Sequence, residues 1–215
     1  MSVALAEISR GFHDPIHGAQ RTFRALLDAM ARPGNERELQ LADLDGLEPP
    51  ASATPGRPLG AGLTAALLTL LDAEATVRLA GSLASAAALA YLRFHTGARP
   101  ASLEESAAFT VARGADVDEG LCSRLDLGTD EAPQRGATLL VEVDELGSRS
   151  GGARLVLQGP GIPEHSVLTV SGLSRDFWRW RIDLQPQLPR GIDLVLVCGA
   201  RIAAIPRSTR ITLAG

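Results

Sequence analysis

The sequence predicts an α/β fold, a three-layer α/β/α sandwich around a mixed β-sheet. Short apolar runs alternate with helical patterns, residues 192–197 are almost entirely apolar, and a strong helix start lies at Asp14-Pro15. A continuous apolar run of strand length is typical of a strand that is buried on both faces, so we expect helices on both sides of the sheet. The 215 residues contain no internal repeat, and we predict one domain over 1–215.

The first helix is the best-defined element of the sequence. Asp14 can accept hydrogen bonds from the free N–H groups of the first turn, and Pro15 stands at the first helical position, where no N–H is needed. Arg32-Pro33-Gly34 ends the helix. One apolar stripe at helical spacing predicts the face that packs on the core, and it contains Ile16, Ala19, Phe23, Leu26, Leu27 and Met30.

The remaining elements follow from apolar periodicity and from the glycine and proline residues between them. We expect a short strand within 35–41 and a loop over 43–58. Helices are predicted over 63–71, 83–95 and 173–184, with a helical turn around 121–125. Strands are predicted over 76–79, 107–112, 138–143, 153–158 and 167–170.

The segment 189–210 predicts two strands that are joined by a turn at Cys198-Gly199-Ala200. The first, 192–197, should lie in the middle of the sheet, and Pro206 should end the second, since proline has no N–H for a strand ladder. The polar residues near these strand ends either bind an anion or form a solvated turn. The candidate anion- or partner-binding residues are Arg190, Arg207, Thr209, Arg210 and, on the helix over 83–95, His95.

Composition excludes several classes of protein. A net charge of −4 gives no basic face for nucleic acid. All 21 basic residues are arginine, so the sequence has no lysine for a Schiff base with pyridoxal phosphate and none for a P-loop. Two cysteines outside any CxxC pattern, no signal-peptide pattern and no apolar run of membrane-spanning length predict a cytoplasmic protein without a disulfide framework.

No convincing catalytic set emerges from the residues. His13 and His17 are four residues apart, but Pro15 lies between them, so we predict no metal site. The chain lacks the G-x-S-x-G pattern of a serine nucleophile. The glycines at 151, 152, 159 and 161 do not stand between a strand and a helix, as a phosphate-binding loop requires, and are interpreted as turn residues.

Trp178 and Trp180 are two residues apart on a predicted helix and should therefore point to different sides of it, so both cannot be core residues. Either the segment is partly extended, or one tryptophan is exposed, as an interface anchor or as a partly buried surface aromatic. Both residues are kept as interface candidates, beside the basic residues Arg175, Arg179 and Arg181.

Three blocks of the sequence, taken together, resemble one family, the H subunit (PhnH) of the bacterial carbon–phosphorus lyase system. They occur in the expected order over nearly the whole chain, with Gly136-Ala137-Thr138-Leu139 and the turn at 159–162 between the second and the third. The blocks are Phe12-His13-Asp14-Pro15-Ile16 with the rest of the first helix, Leu92-Arg93-Phe94-His95-Thr96, and Gly191-Ile192-Asp193 with Ile205-Pro206-Arg207.

The resemblance implies a fold like that of pyridoxal-phosphate-dependent transferases, without the cofactor. It also implies a homodimer when the subunit is isolated and a core complex with the G, I and J subunits. That complex, with the L subunit, is linked to making α-D-ribose 1-alkylphosphonate 5-triphosphate from ATP and an alkylphosphonate, in the breakdown of phosphonates. No catalytic residue is carried over from the family.

The sequence therefore supports a structural or assembly subunit of a phosphonate-processing complex as the first hypothesis. The second is a stand-alone enzyme that binds a nucleotide or a phosphonate through Arg207, Arg210 and Arg190, since guanidinium groups bind phosphate oxygens in pairs. A third is an unrelated homodimeric scaffold that pairs through the tryptophan helix.

Overall fold

The computed structural model describes residues 9–54, 57–102, 104–147 and 151–214. The predicted helices over 63–71, 83–95 and 173–184 and the helical turn around 121–125 are confirmed within a few residues, whereas the short helix α2 was not predicted, because it lies where a strand end and a loop were expected. They are α1 (Pro15–Ala31), α2 (Leu41–Leu44), α3 (Ala61–Leu70), α4 (Ala86–Thr96), α5 (Glu119–Cys122) and α6 (Arg175–Asp183).

Seven strands form the main sheet, in the spatial order β1-β10-β9-β5-β4-β2-β3. The strands β2, β3, β4, β5 and β9 are parallel, whereas β10 runs antiparallel to both of its neighbours, so the predicted mixed sheet is confirmed. Their bounds are β1 (Arg37–Glu38), β2 (Thr76–Leu79), β3 (Arg99–Pro100), β4 (Phe109–Arg113), β5 (Thr138–Glu142), β9 (Asp193–Cys198) and β10 (Arg201–Ile205).

A second, smaller sheet is antiparallel throughout, in the order β11-β7-β8-β6. Three of its strands follow one another along the chain between β5 and α6, and the fourth comes after β10. The strands are β6 (Glu145–Leu146), β7 (Ala153–Gln158), β8 (Ser166–Ser171) and β11 (Arg210–Leu213).

The main sheet has a hydrophobic core on each face. One core joins residues of α1, α3 and α4 to one face of the strands. The other joins the opposite face to the second sheet, α5 and α6. The predicted α/β class is therefore confirmed, but the prediction of helices as both outer layers needs correction. The second outer layer is mainly a β-sheet, because the apolar strands β7 and β8 pair with each other and cover the main sheet with one face.

The predicted start of α1 is confirmed, since the Asp14 carboxylate accepts a hydrogen bond from the backbone N–H of His17 at 3.1 Å. The predicted core stripe is wrong in part. Leu26 is buried, but Ile16, Phe23 and Leu27 are exposed. Small side chains on another face, at Gly18, Thr22 and Ala29, are the buried ones, because they let the helix lie close to the core.

The segment 192–197 forms the strand β9, which lies between β10 and β5 as predicted. Its side chains reach both hydrophobic cores, Val195 and Val197 on one face and Leu194 and Leu196 on the other. Pro206 follows directly after the last residue of β10, as expected. In the part of the chain that the structure describes, no helix has both the length and the apolar character needed to cross a bilayer.

Candidate functional site

A crevice lies where the parallel strands β2, β3 and β4 end. The connection from β2 to β3 carries α4, which packs on one face of the main sheet, whereas the connection from β4 to β5 carries α5 on the other face. The two connections therefore cross opposite faces of the main sheet, one on each side of β2. In open α/β sheets such a switch point opens a crevice at the carboxyl ends of the strands, where ligands commonly bind.

The crevice is a cavity of about 490 Å³. Backbone and side chains that follow the ends of the strands form most of its wall, and α4 and α5 add one apolar residue each. The lining residues are Val77, Arg78, Leu79, Ala80, Gly81, Leu89, Pro100, Ala101, Ala115, Asp116, Asp118, Leu121 and Arg124.

A buried polar network lies beside this crevice. Arg113 ends β4 and is paired in register with Glu142 at the end of β5, and its Nε donates to the Glu142 carboxylate at 3.0 Å. Its Nη1 donates to the Ser82 hydroxyl at 3.0 Å, and its Nη2 donates to the carbonyls of Arg57 and Pro58. The buried charge is thus paired and its donors are satisfied, as a buried guanidinium requires.

The network reaches the crevice through Asp116. The Asp116 carboxylate accepts hydrogen bonds from the Ser82 N–H at 2.8 Å and from the Ser82 hydroxyl at 2.5 Å. The Ser82 hydroxyl is thereby held between a carboxylate and a guanidinium. This arrangement ties the ends of the neighbouring strands together.

The sequence did not reveal this region, because its residues are spread over four segments. Arg113 was counted as the residue after a predicted strand, and Asp116 lay in a stretch without clear pattern. The sequence could have indicated this region only through the positions of charged residues relative to the predicted strands. Charged residues at the ends of neighbouring parallel strands meet at one edge of a sheet. Arg113 directly follows the predicted strand 107–112, and Glu142 lies near the end of the predicted strand 138–143.

The predicted anion residue Arg207 has its guanidinium occupied within the chain. Its Nη2 lies 2.5 Å from Asp193 Oδ2, its Nε is 3.2 Å from the same oxygen, and its Nη1 donates to the carbonyl of Pro133. A guanidinium with these partners has little capacity left for a phosphate group. Arg207 therefore ties the turn after β10 to the start of β9.

The other predicted residues fall into two groups. Thr209 and Arg210 line a cavity of about 410 Å³ together with Arg207, but Thr209 is buried, whereas Arg210 is exposed. Arg190 and His95 lie elsewhere. Arg190 pairs with Asp130 at 3.5 Å, and His95 Nε2 lies 3.0 Å from the Ser9 carbonyl, with its ring against those of Tyr91 and Phe94.

A buried arginine that sequence reasoning missed lies behind the same turn. Arg181 on α6 is only 1% exposed, and its Nη2 donates to the Pro206 carbonyl at 3.0 Å. Burial lowers its pKa to about 10, although the nearby Asp193 charge acts in the opposite direction. Its burial could have been predicted from its helical spacing to Phe177 and Trp178, because that spacing places Arg181 on the same buried face of α6.

The two tryptophans lie in different environments, as their spacing predicts. Trp178 is fully buried in the core between the sheets, so its prediction as an interface residue is wrong for this fold. Trp180 is half-buried and lines a cavity of about 380 Å³ between α5 and α6. The wall of that cavity contains four acidic residues and one arginine, which are Asp118, Glu119, Asp176, Asp183 and Arg179.

The two histidines near α1 do not converge. His17 Nδ1 lies 2.7 Å from Asp14 Oδ2, and the hydrogen bonds from His17 lower the pKa of Asp14. His13 comes before the helix and is exposed. Within the described ranges, no group of three or more His, Cys, Asp or Glu side chains is placed to hold a metal ion.

Three large apolar side chains of α1 are exposed to solvent. Ile16 is 69% exposed, Phe23 49% and Leu27 56%. Leu41 on α2 is exposed as well, and Arg21 on α1 bonds Asp43 on α2, so these two helices are neighbours. Phe94 on α4 is also exposed. Soluble monomers rarely leave so many large apolar side chains together in water, and such patches mark interaction surfaces.

Comparison with known proteins assigns a family. The family described as "Bacterial phosphonate metabolism protein (PhnH)" matches residues 10–212. The chain is 35% identical over 203 residues to the Rhizobium meliloti (strain 1021) protein named alpha-D-ribose 1-methylphosphonate 5-triphosphate synthase subunit PhnH, with 94% of each chain covered. It is 37% identical over 196 residues to the putative C-P lyase subunit protein HtxG of Stutzerimonas stutzeri, which covers 91% of this chain and 87% of that one. The resemblance carried by the three sequence blocks is thus confirmed, and the chain belongs to the PhnH family of bacterial phosphonate metabolism proteins.

Proposed function

We propose that this chain is a subunit of a carbon–phosphorus lyase complex for the breakdown of phosphonates. In that complex it supports the synthesis of α-D-ribose 1-alkylphosphonate 5-triphosphate from ATP and an alkylphosphonate. Its role is structural, as an assembly subunit beside the G, I and J subunits, and the isolated chain pairs with itself. The proposal includes the cytoplasmic location expected from the sequence.

One observation carries the proposal: the 35% identity, over 94% of both chains, to a protein named as a subunit of the methylphosphonate triphosphate synthase. The family match over residues 10–212 contains every helix of the described chain. Two chains with this identity and coverage have the same overall fold. The simplest inference is therefore that both have a role in the same kind of assembly.

The exposed face of α1 supports an assembly role. A helix that is apolar both toward the core and toward water needs a second partner to bury its outer face. Each large apolar side chain removed from water contributes about 1.5–3 kcal/mol to association, before the entropy of binding is subtracted. Burial of the exposed parts of Ile16, Phe23 and Leu27 would therefore stabilise a protein–protein contact at this face.

We also propose kinship of the main sheet with the pyridoxal-phosphate-dependent transferases, without use of that cofactor. The mixed seven-stranded sheet with one antiparallel strand, β10, suits this relationship. The sequence contains no lysine to form the Schiff base with pyridoxal phosphate.

The rival function, a stand-alone enzyme with a C-terminal arginine site, has weaker support. It depended mainly on Arg207, whose guanidinium is bound to Asp193 and to backbone carbonyls. Of the three arginines proposed for that site, Arg190 is paired with Asp130, and Arg210 is a single exposed side chain.

Co-expression tests the proposal directly. The chain is tagged and expressed with untagged G, I and J subunits from the same host, and the purified product is weighed by light scattering. We expect a stoichiometric hetero-oligomer. Soluble partner subunits that all fail to co-purify would overturn the proposal.

Two matched variants then locate the contact surface. Phe23→Asp places a charge on the exposed face of α1, whereas Val167→Asp places one at an exposed valine of β8, in the second sheet. If α1 makes the contact, Phe23→Asp lowers the yield of partner subunits and Val167→Asp does not. The opposite pattern would move the contact to the second sheet.

A further inference from the structure

We propose that the cavity beside the turn after β10 binds a small oxyanion of the phosphate class, through Arg210 and the hydroxyl groups of Ser208 and Thr209. This goes beyond the proposed function, because an assembly subunit needs no ligand of its own. It assigns no reaction to the chain and leaves Arg207 bound to Asp193. The cavity has a volume of about 410 Å³, which is within the range of small-molecule sites.

The charge of the cavity wall is the first reason. Among the described residues that form the wall, two are arginines and none is acidic. The charge of Arg207 is balanced by Asp193, whereas Arg210 forms no ion pair with a carboxylate in the described part of the chain. The wall therefore carries one positive charge without a partner, and a bound anion would balance it.

A buried arginine next to the wall adds a second positive charge. Arg181 is 1% exposed, and its Nη2 donates to the Pro206 carbonyl at 3.0 Å. The same carbonyl accepts the N–H of Thr209 at 2.9 Å, so the guanidinium lies next to the turn that forms the wall. The charges that act on Arg181 are those of Asp193 and Arg207, so two guanidinium groups share one carboxylate. A buried charge normally has a partner of its own, and Arg181 has none.

Buried polar atoms without a partner are the third reason. Arg181 Nε and the Thr209 hydroxyl are both buried, and neither has a hydrogen-bond partner within the described chain. Buried polar groups in folded proteins are satisfied by protein atoms, by ordered water or by a ligand. An ordered water could satisfy these two atoms, but it would leave the excess positive charge. An oxyanion supplies both the acceptor oxygens and the negative charge.

The polar groups of the wall determine which oxyanion fits. Arg210 offers a forked guanidinium, and Ser208 and Thr209 offer one hydroxyl each. A carboxylate has two oxygens, which a single guanidinium occupies when it binds in the bidentate manner. A phosphate group has at least three free oxygens, so it can accept from the guanidinium and from both hydroxyls at the same time. The donor set therefore favours the phosphate class.

The two other cavities have no such excess of positive charge. The crevice at the ends of β2, β3 and β4 has two arginines and two aspartates in its wall, so its charges balance. The cavity at Trp180 has four acidic residues and one arginine in its wall, which would repel an anion.

Calorimetry on the isolated chain tests the site with inorganic phosphate and with methylphosphonate, at an ionic strength held constant with sodium chloride. We expect saturable binding of at least one of them. Tighter binding of inorganic phosphate would identify the free ion as the ligand, and tighter binding of methylphosphonate would identify an organic one. Only the choice of the second probe rests on the proposed function. Absence of saturable binding for both probes up to about 10 mM would overturn the proposal.

Variants assign the binding to this cavity. Arg210→Ala should weaken it about tenfold, through the loss of a charge-assisted hydrogen bond. Thr209→Val keeps the shape of the side chain, removes the hydroxyl and should weaken binding as well. Arg124→Ala is the matched control, since it removes an exposed arginine from the crevice. Binding that Arg124→Ala weakens and Arg210→Ala leaves unchanged would overturn the proposal.

A further variant tests the buried charge. Arg181→Met keeps a long side chain without the charge, and such replacements of a buried charge are often neutral or stabilising, so the variant should stay folded. Phosphate should raise the urea midpoint of the parent chain more than that of Arg181→Met, because a ligand stabilises the fold in proportion to its affinity. An equal rise in both proteins would show that Arg181 has no part in the site.

The location can also be determined without any variant. The amide resonance of Gly159, which lines the cavity, should shift on addition of the bound probe, whereas that of Gly81 in the crevice should not. A shift of Gly81 without one of Gly159 would overturn the proposal. Partner co-purification is measured separately, so failure of either proposal leaves the other intact.

Discussion

Asp193 at the start of β9 binds both the side chain and the backbone of Arg207 in the turn after β10. Its Oδ1 accepts the Arg207 N–H at 2.8 Å, while its Oδ2 lies 2.5 Å from Arg207 Nη2. Both side chains are largely buried, and the charge of Asp193 also favours the protonated form of the buried Arg181. The Asp193 carboxylate thus interacts with the guanidinium groups of both Arg207 and Arg181. The turn after β10 is therefore stabilised by these charge interactions as well as by the hydrogen bonds of the strand ladder.

Arg207→Ala should destabilise the fold. The change leaves the Asp193 carboxylate without its main partner in a poorly solvated position, which costs about 2–4 kcal/mol. The midpoint of urea denaturation measures the effect, with Arg210→Ala as the control, because Arg210 is exposed and should change stability by less than about 0.5 kcal/mol. Equal midpoints for the two variants would contradict the role assigned to Asp193.

The two tryptophans should differ sharply when truncated. Trp178→Ala empties a fully buried site between the sheets and should cost about 3–5 kcal/mol of unfolding free energy. Trp180→Ala removes a half-buried ring at a cavity wall and should cost clearly less. Chemical denaturation, followed by circular dichroism, compares the free energies of unfolding of the two variants. A larger loss of unfolding free energy for Trp180→Ala would show that Trp180, and not Trp178, lies on the buried face of α6.

Tyr91 gives a pH-dependent contribution to stability. Burial raises its pKa to about 12, with the charge of Glu48 as a second cause, and its hydroxyl donates to the Arg10 carbonyl at 3.1 Å. Because the pKa in the folded chain is above the ordinary 10.0, this stabilisation is complete below pH 10 and is lost as the pH rises through 12.

The chain has one tyrosine, so ultraviolet absorbance of the phenolate follows Tyr91 alone. We expect a titration midpoint near 12 in the native protein, and Tyr91→Phe should remove this part of the alkaline loss of stability. A native midpoint at the ordinary value would disprove the burial of the hydroxyl.

The exposed face of α1 should govern self-association of the isolated chain. Leu27→Asp should convert the proposed dimer to a monomer, because a charge would be buried without a partner in the contact. Its urea midpoint should stay close to that of the parent, since Leu27 is exposed in the single chain. Light scattering reads the mass, and a dimer that survives in Leu27→Asp but not in Val167→Asp would place the contact on the second sheet.

Much of the fold could be predicted from local signals. Asp14 and Pro15 mark the start of α1, and the apolar run of 192–197 marks a central strand, because capping and burial act through neighbouring residues. The two-residue strands β1, β3 and β6 carry too few side chains for a periodicity to show. The strand β11 was missed because Arg210 was assigned to a polar turn, although it pairs with Gln158.

Burial within an element was harder to predict than the element itself. The apolar stripe of α1 predicts one buried face, yet Gly18 and Thr22 are buried while Phe23 is exposed, since close approach to the core favours small side chains. The same limit applies to the candidate sites. Arg207 looked available for an anion because its partner Asp193 lies 14 residues earlier, and no local pattern joins the two.

The position of β1 has a consequence for the order in which the chain can fold during synthesis. Its residue Arg37 pairs with Ile202 of β10, and Glu36 forms an ion pair with Arg201, so both contacts join residues 165 positions apart. The helix α1 also packs on a core that includes Ile202 and Ala204 of β10. On the ribosome, therefore, α1 emerges early and can meet α3 soon afterwards, but it lacks the part of its packing surface that β10 supplies until almost the whole chain has been made. That part of its inner face, and its exposed apolar face, stay open to chaperones until then.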